Sequence, residues 1–213
     1  METLKRKKSI YSYKMNIVYR KEEKRRSLLS GAASDRRTVS NLIKNINRII
    51  TEYKVSEVLD IPCGDFCWIQ GVNLKEIKYT GMDVCGYIID KNRESHSSKM
   101  RSFLCGDIVS DPLPKNDLVI CKDSFEVMSD EDIMLSIANI KKSGSKFLLI
   151  TNKPFCLFND PCCNFSFSNI RDINILKSPF SLPSPIESFC YADNSGTWVD
   201  YCYMNLYRLA EVN

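Results

Sequence analysis

The sequence predicts an α/β domain in which five parallel strands and a closing antiparallel hairpin build a seven-stranded, mostly parallel sheet with helices on both faces. Three observations carry this reading. Short apolar strand segments alternate with helical segments from Glu57 to Thr151, as they do when crossover helices bury both faces of a parallel sheet. Two β-rich runs around an Asn-Ser-Gly turn follow at residues 186–212, which reads as a hairpin. The 213 residues are 44% hydrophobic and 26% charged, a balance that suits one globular domain with its own core. No run of about 18 apolar residues offers a membrane span.

Residues 1–27 read as a basic, poorly ordered tail and 28–213 as the domain. From Thr38 to Tyr53, Val39, Leu42, Ile43, Ile46, Ile49 and Ile50 recur at helical spacing, which predicts an amphipathic helix. It leads into the strand of "EVLDIPCGDFCWIQ", residues 57–70. "YTGMDV" (79–84) is the next strand, "YIIDKNRES" (87–95) a short helix, and "RSFLCGDI" (101–108) and "DLVICKD" (117–123) two further strands. Ser129, with Asp132 three positions on, starts a helix as an approximate capping box. That helix meets Gly144, a usual stop residue. "KFLLIT" (146–151) is the fifth strand. Residues 153–185, rich in Pro, Asn, Ser and Phe, form a long irregular excursion of the kind that serves as a lid or stays disordered. Phe155, Phe158, Phe165, Phe167 and Phe180 favour a packed lid.

Charge and cysteine usage narrow the function classes. Residues 1–37 carry 12 Lys and Arg against 4 Asp and Glu, so the remainder is net acidic although the chain totals +4. "KRKK" and "RKEEKRR" suit nucleic acid, an acidic partner or a nuclear import receptor; a solvated tail is the preferred reading. The ten cysteines are scattered, no C-x-x-C pair occurs and His96 is the only histidine, which argues against zinc or another metal. Reduced thiols, with no apolar signal segment at the basic N-terminus, point to a cytoplasmic protein, with a nuclear location as the alternative.

The chemistry gathers at strand ends. In an open α/β sheet the ligand lies beyond the carboxyl ends of the strands, where the strand order switches. The first four strands deliver Asp60, Asp83, Asp107 and Asp123 there. Asp83 lies 23 residues beyond Asp60, close to the roughly 20 expected for a ribose-binding acid. Asp107 is placed to accept from an adenine amino group, and Gly64 lets backbone approach the ligand. A pyrophosphate needs bare N–H groups at a helix N-terminus, and a dinucleotide turn would place glycines where Pro62 and Phe66 stand. The crowded turn and Asp65 disfavour a dinucleotide and suit a phosphate-free, cationic nucleoside ligand such as S-adenosylmethionine.

"VLDIPCGDFCW", "YTGMDV", "GDI", "DPLPKNDLVICKDSFEVMSDEDIMLSIANIKKSGSKFLLIT" and "INILKSPFSLPSPIE" together resemble the class I S-adenosylmethionine-dependent methyltransferases, and more narrowly a subgroup with a "DIPCGDF-W" turn. The resemblance spans roughly residues 28–209 and implies a Rossmann-like methyltransferase fold. It implies that Asp60, Gly64 and Asp65, with Pro62, line the methionine part of the cofactor. It further implies that Asp83 with Val84 holds the ribose, that Asp107 with Ile108 holds the adenine, and that Asp123 faces the methyl group. "SGAAS" (30–34) resembles a cofactor-proximal segment. Relatives carry Arg where this chain has Lys122, a less rigid donor, and "ESFCYADNSGTW" replaces a more basic, glycine-richer region, which puts the substrate contacts in question.

Methyl transfer from a sulfonium is an in-line displacement in which positioning dominates. The expected catalytic pair is Asp123, orienting or deprotonating an oxygen or nitrogen nucleophile, and Lys122, which with Glu126 shapes the acceptor pocket. The alternative is that Asp123 caps the following turn. Trp68 is read as packing beneath the cofactor turn, Trp198 as a hairpin or lid anchor, and Tyr201, Tyr203 and Tyr207 as sheet-face packing. The acceptor is a small molecule, a saccharide or a peptide. Two other function classes stand beside the enzyme: a methyltransferase-like cofactor-binding or scaffold protein without turnover, and a nucleic-acid-associated protein guided by the basic tail.

Overall fold

The computed structural model of the protein describes residues 40–161, 171–192 and 202–212. The basic tail, "SGAAS", Cys162, Cys163, Phe165, Phe167, the Asn-Ser-Gly turn, Trp198 and Tyr201 lie outside the described residues. The elements run α1 (Ser40–Glu52), β1 (Glu57–Asp60), β2 (Lys78–Asp83), α2 (Gly86–His96), β3 (Arg101–Cys105), β4 (Leu118–Cys121), α3 (Asp130–Lys142), β5 (Phe147–Asn152), β6 (Glu187–Ala192) and β7 (Cys202–Arg208). The sheet has seven strands in the order β3-β2-β1-β4-β5-β7-β6. β1 to β5 pair in parallel, and β7 pairs antiparallel with both β5 and β6.

Period-two alternation divides the apolar residues between two cores. Leu118 and Ile120 of β4, with Phe147 and Leu149 of β5, enter the core that α1 covers with Leu42, Ile46 and Ile49 and α2 with Ile88 and Ile89. Val119 and Cys121, with Leu148 and Ile150, enter the other, which α3 covers with Ile133, Ile137 and Ile140. Helices therefore stand on both faces. Among the described residues, no helix is long and apolar enough to cross a membrane. α1 is fastened to the far edge of the sheet: Arg48 pairs with Glu187 of β6, and the Tyr53 hydroxyl donates to the same carboxylate at 2.6 Å.

α3 begins as expected. The Ser129 hydroxyl accepts from the Asp132 amide at 3.2 Å and donates to the Asp132 carboxylate at 2.8 Å. Its last turn is followed by Ser143 and then Gly144, whose φ of +70° an L side chain rarely adopts. Ser129→Ala should lower stability by about 1–2 kcal/mol, read as a shift of the urea midpoint at unchanged slope; an unshifted midpoint would count against the cap.

Two departures from strict strand–helix alternation have local causes. The β1–β2 link carries only a 3₁₀ turn, Trp68–Gly71. The β3–β4 link has no helix, because Pro112 and Pro114 lack amide donors and disfavour helix in the residues before them. Asn139 of α3 instead pins this link, donating to the carbonyls of Ile108 and Asp111 at 2.8 Å each. Ile108, Val109 and Leu113 cover the sheet where a crossover helix would have packed.

The excursion after β5 is anchored differently from the expectation. Phe155 and Phe158 are 68% and 71% exposed, and aliphatic residues do the packing: Ile173, Ile175 and Leu182 are buried in the second core, with Phe180 against it. Three buried asparagines hold the backbone. Asn159 donates to the carbonyls of Asn174 and Ser178 at 2.9 Å each, Asn174 donates to that of Cys156 at 2.9 Å, and Asn152 accepts from the Ile175 amide at 2.9 Å. These bonds satisfy polar backbone that would otherwise be costly to bury. Tyr207 is buried in the second core, and Tyr203 stands edge-on to Phe155 at 6.4 Å, so the described β7 tyrosines pack on the sheet face.

Candidate active site

Strand order reverses between β1 and β4, which places a crevice beyond their carboxyl ends. β1 ends on Asp60 and β2 on Asp83; Asp107 lies two residues past β3 and Asp123 two past β4. These strands are parallel neighbours in the order β3-β2-β1-β4, so the four carboxylates stand along one rim in the order Asp107, Asp83, Asp60, Asp123.

The turn after β1 is fixed from three sides. Ile61 donates to the Ile120 carbonyl of β4 and Cys63 to the Met82 carbonyl of β2, each at 2.9 Å. Gly64, at φ +53°, donates its amide to Asp83 Oδ2 at 3.1 Å, and its carbonyl accepts from Asn92 of α2 at 2.7 Å. The half-buried Asp65 folds back to accept from the Cys67 amide at 3.1 Å. The amides at Gly64 and Cys67 thus serve carboxylates of the chain itself, which leaves this turn ill-suited to a pyrophosphate. Pro62, half-buried, follows a cis Ile61–Pro62 bond. Phe66 adopts φ +58°, a left-handed conformation that glycine takes up far more readily than a side-chain-bearing residue. Its ring is fully buried, 5.2 Å from Tyr79 and 5.4 Å from Phe103, beneath the Arg101 guanidinium at 4.6 Å, and this packing offsets the backbone cost. Trp68 is buried in the first core, as expected.

The rim acids differ in their surroundings. Asp60 is fully enclosed; Oδ2 accepts from the Tyr79 hydroxyl at 2.7 Å and Oδ1 has no hydrogen-bond partner among the described residues. Burial pushes its carboxyl up to about 7, against the pull of Tyr79 and Lys122. Asp83 accepts from the amides of Cys85 and Gly64, at 2.8 and 3.1 Å, yet burial still raises it to about 6. Asp107 Oδ1 accepts from the Val109 amide at 2.9 Å, and the Asp107 amide donates to Asp111 at 2.9 Å. Val84 is half-buried beside Asp83, whereas Ile108 packs into the second core.

The far corner is built by β4, β5 and β6. Asp123 sits at φ +50° with its amide donating to Thr151 Oγ1 at 2.9 Å. Its carboxylate takes hydrogen bonds from the Tyr191 hydroxyl at 2.5 Å and the Thr151 hydroxyl at 3.3 Å, and pairs with Lys122. None of these partners lies in the following 3₁₀ turn, Phe125–Val127, so the carboxylate is not a turn cap. The Lys122 side chain is 4% exposed, its ammonium 5.8 Å from the Trp68 ring centre and 5.4 Å from that of Tyr191. Glu126 stands in the next turn with Oε2 buried and without a hydrogen-bond partner among the described residues; burial and the Asp123 charge push it up to about 7, against Lys153 and Lys122.

Asp60, Gly64, Asp65, Asp83 and Asp107 therefore lie at or just beyond the carboxyl ends of β1, β2 and β3, and Lys122, Asp123 and Glu126 just beyond that of β4. Sequence reasoning missed Tyr79, Asn92, Thr151 and Tyr191. No local spacing marks them, because each reaches its partner only through sheet pairing or helix packing.

No family model matches the chain, and no curated protein matches its sequence. Solved structures match it throughout. The N-methyltransferase NodS from Bradyrhizobium japonicum WM9, in complex with S-adenosyl-l-homocysteine, aligns with a TM-score of 0.64 at 15% identity, over 90% of this chain and 97% of that one. Magnesium protoporphyrin IX methyltransferase (ChlM) from Synechocystis PCC 6803, with bound SAH, aligns with a TM-score of 0.60 at 15% identity, over 93% and 97%. This chain has the class I methyltransferase fold. The [4+2]-cyclase SpnF aligns with a TM-score of 0.52 at 18% identity, over 69% and 60%. A class I methyltransferase fold thus fixes the architecture, and function must be argued from the site.

Proposed function

We propose that this protein is an S-adenosylmethionine-dependent methyltransferase that moves a methyl group to an oxygen or nitrogen nucleophile by in-line displacement. The observation that carries the reading is the row of four carboxylates on adjacent parallel strands at the switch point, behind a turn whose Gly64 amide is committed to Asp83. The donor set fits the cofactor. Asp83 offers acceptor lone pairs for the ribose hydroxyls, and Asp107 would receive the adenine amino group. The unpartnered oxygen of Asp60 would accept from the methionine ammonium, directly or through water. When bound, the cofactor supplies a methyl group on a sulfonium that departs as a neutral thioether.

The chain's own residues position the reaction. The carboxylate of Asp123, gripped by Lys122, Thr151 and Tyr191, is preorganised to orient a nucleophile that carries a proton. Lys122 keeps this acid-rich corner near neutrality. Calorimetry with S-adenosylmethionine, followed by assay of S-adenosylhomocysteine release across small-molecule, saccharide and peptide acceptors, tests the proposal. Binding with release is expected. Binding without release from any acceptor would favour the scaffold reading, and absence of binding would end the proposal.

A further inference from the structure

On α2 an amide side chain stands where an apolar one is expected. The helix buries Ile88, Ile89 and Asn92, which share one face because they lie three and four residues apart. Asn92 is 2% exposed, and an amide buried there is costly unless it is hydrogen-bonded. Its Nδ2 donates to the Gly64 carbonyl at 2.7 Å and approaches Cys63 Sγ at 3.9 Å. We propose that Asn92 is a positioning residue for the cofactor ribose, acting on Asp83 through Gly64 without touching the cofactor itself. This rests on the methyltransferase reading and deepens it at the sugar.

Both oxygens of Asp83 are governed by α2. Oδ1 accepts at 2.8 Å from the amide of Cys85, the residue that opens the helix. Oδ2 accepts from the Gly64 amide at 3.1 Å, and the carbonyl of that same glycine is held by Asn92, about two helical turns beyond Cys85. A closed ring of contacts therefore runs from Asp83 to Cys85, along the helix to Asn92, and back through Gly64. Gly64 needs this hold. It sits at φ +53°, and a glycine enters several other backbone regions as readily. With its carbonyl and its amide both engaged, the residue keeps the amide aimed at Asp83. Once the carbonyl is released, the turn is free to rotate, and the carboxylate loses one of its two fixed supports.

Packing alone does not account for this residue. Leucine has the same branching as asparagine and would suit a face already lined by Ile88 and Ile89 in the first core. What leucine lacks is the donor that meets the Gly64 carbonyl. A carboxylate that must take two sugar hydroxyls at once binds best when its orientation is fixed before the ligand arrives. Asn92 supplies part of that fixing from a buried position, behind the groups that meet the ligand.

Calorimetry with S-adenosylhomocysteine and its 2′,3′-dideoxy analogue tests the assignment, since the two compounds differ only in the sugar hydroxyls. In the wild-type protein the hydroxyls should strengthen binding by about 10-fold or more. In Asn92→Leu that factor should shrink by about 5-fold, while the dideoxy analogue binds as it does to the wild type. In an Asp83→Asn background the same substitution should leave the factor unchanged, because the path runs through Asp83. An equal loss for both compounds in Asn92→Leu would make Asn92 purely structural and overturn the assignment. So would a factor that Asn92→Leu still lowers after Asp83→Asn. Asn92→Ala repeats the measurement with a smaller side chain, and failure of both variants to fold would also overturn the assignment, by making Asn92 a residue of the core. A wild-type protein that binds both compounds equally would remove the ribose path and keep the cofactor reading; one that binds neither would remove the cofactor reading as well.

Discussion

Asp83→Asn should weaken S-adenosylmethionine binding by about 10- to 100-fold. The Asp83 carboxylate is placed by two amides from different segments: Gly64, in the turn after β1, donates to Oδ2, and Cys85, at the start of α2, donates to Oδ1. Each carboxylate oxygen can accept more than one hydrogen bond, and the remaining capacity would take the two ribose hydroxyls. An asparagine turns one oxygen into an NH₂ group that meets an amide donor where an acceptor is required. One support of the turn is lost, and one ribose bond goes with it. Hydrogen bonds to a charged group contribute about 1.5–3 kcal/mol each; the turn support is lost from free and bound protein alike, so the ribose bond sets the affinity loss, a factor of about 10–100. Calorimetry should show the same loss for S-adenosylhomocysteine, since both compounds carry the ribose. Unchanged affinity would mean that the sugar is held elsewhere.

The contrast between Asp117 and Asp123 shows what sequence can resolve. Both flank β4, one before Leu118 and one after Cys121, and they look alike in "DLVICKD". At the amino-terminal rim Asp117 accepts from the Ser56 amide at 2.8 Å and hydroxyl at 2.7 Å, and pairs with Lys146 at 2.7 Å. Burial pushes its carboxyl up, but these partners together hold it well below the usual carboxylate range. It is a structural pin. Strand direction alone distinguishes the two, and that direction was legible because continuously apolar strands separated by helices are parallel. The rim carboxylates could therefore be read from the chain. Their partners could not: Tyr79 reaches Asp60 from the neighbouring strand, and Tyr191 reaches Asp123 only because the C-terminal hairpin inserts β7 between β5 and β6. Phe155 and Phe158, in the excursion after Lys153, misled for a related reason, whereas Phe180 packs against the second core. Composition marks that segment as able to pack, but three buried asparagines and three aliphatic residues decide which part of it does. Phe66 was legible as a side chain standing in a glycine position, yet the aromatic pocket that tolerates it is assembled from β2 and β3.

The acids at the carboxyl-terminal rim also predict an unusual dependence of stability on pH. Burial raises Asp60 from 3.8 to about 7, Asp83 from 3.8 to about 6 and Glu126 from 4.5 to about 7. As pH climbs from 4 toward 7 the unfolded chain surrenders these protons first, so the folded state binds more of them and stability falls with pH. Their contribution is complete below about 4 and is lost as pH passes through 6–7. For Asp60, fully enclosed, the shift corresponds to about 4 kcal/mol. Asp117 has the opposite sign: its stabilisation is present above about 4 and disappears in acid. The ligand-free protein should therefore be most stable near pH 4–5 and should melt markedly lower at pH 8. Asp60→Asn, which removes that titration and can still accept from Tyr79, should flatten the decline. Saturating S-adenosylmethionine should flatten it too, because a cation in the crevice favours the ionised acids at neutral pH. A melting temperature constant from pH 5 to 8 would mean that these acids are ionised inside the fold. A decline that the cofactor leaves unaltered would separate the rim carboxylates from the sulfonium.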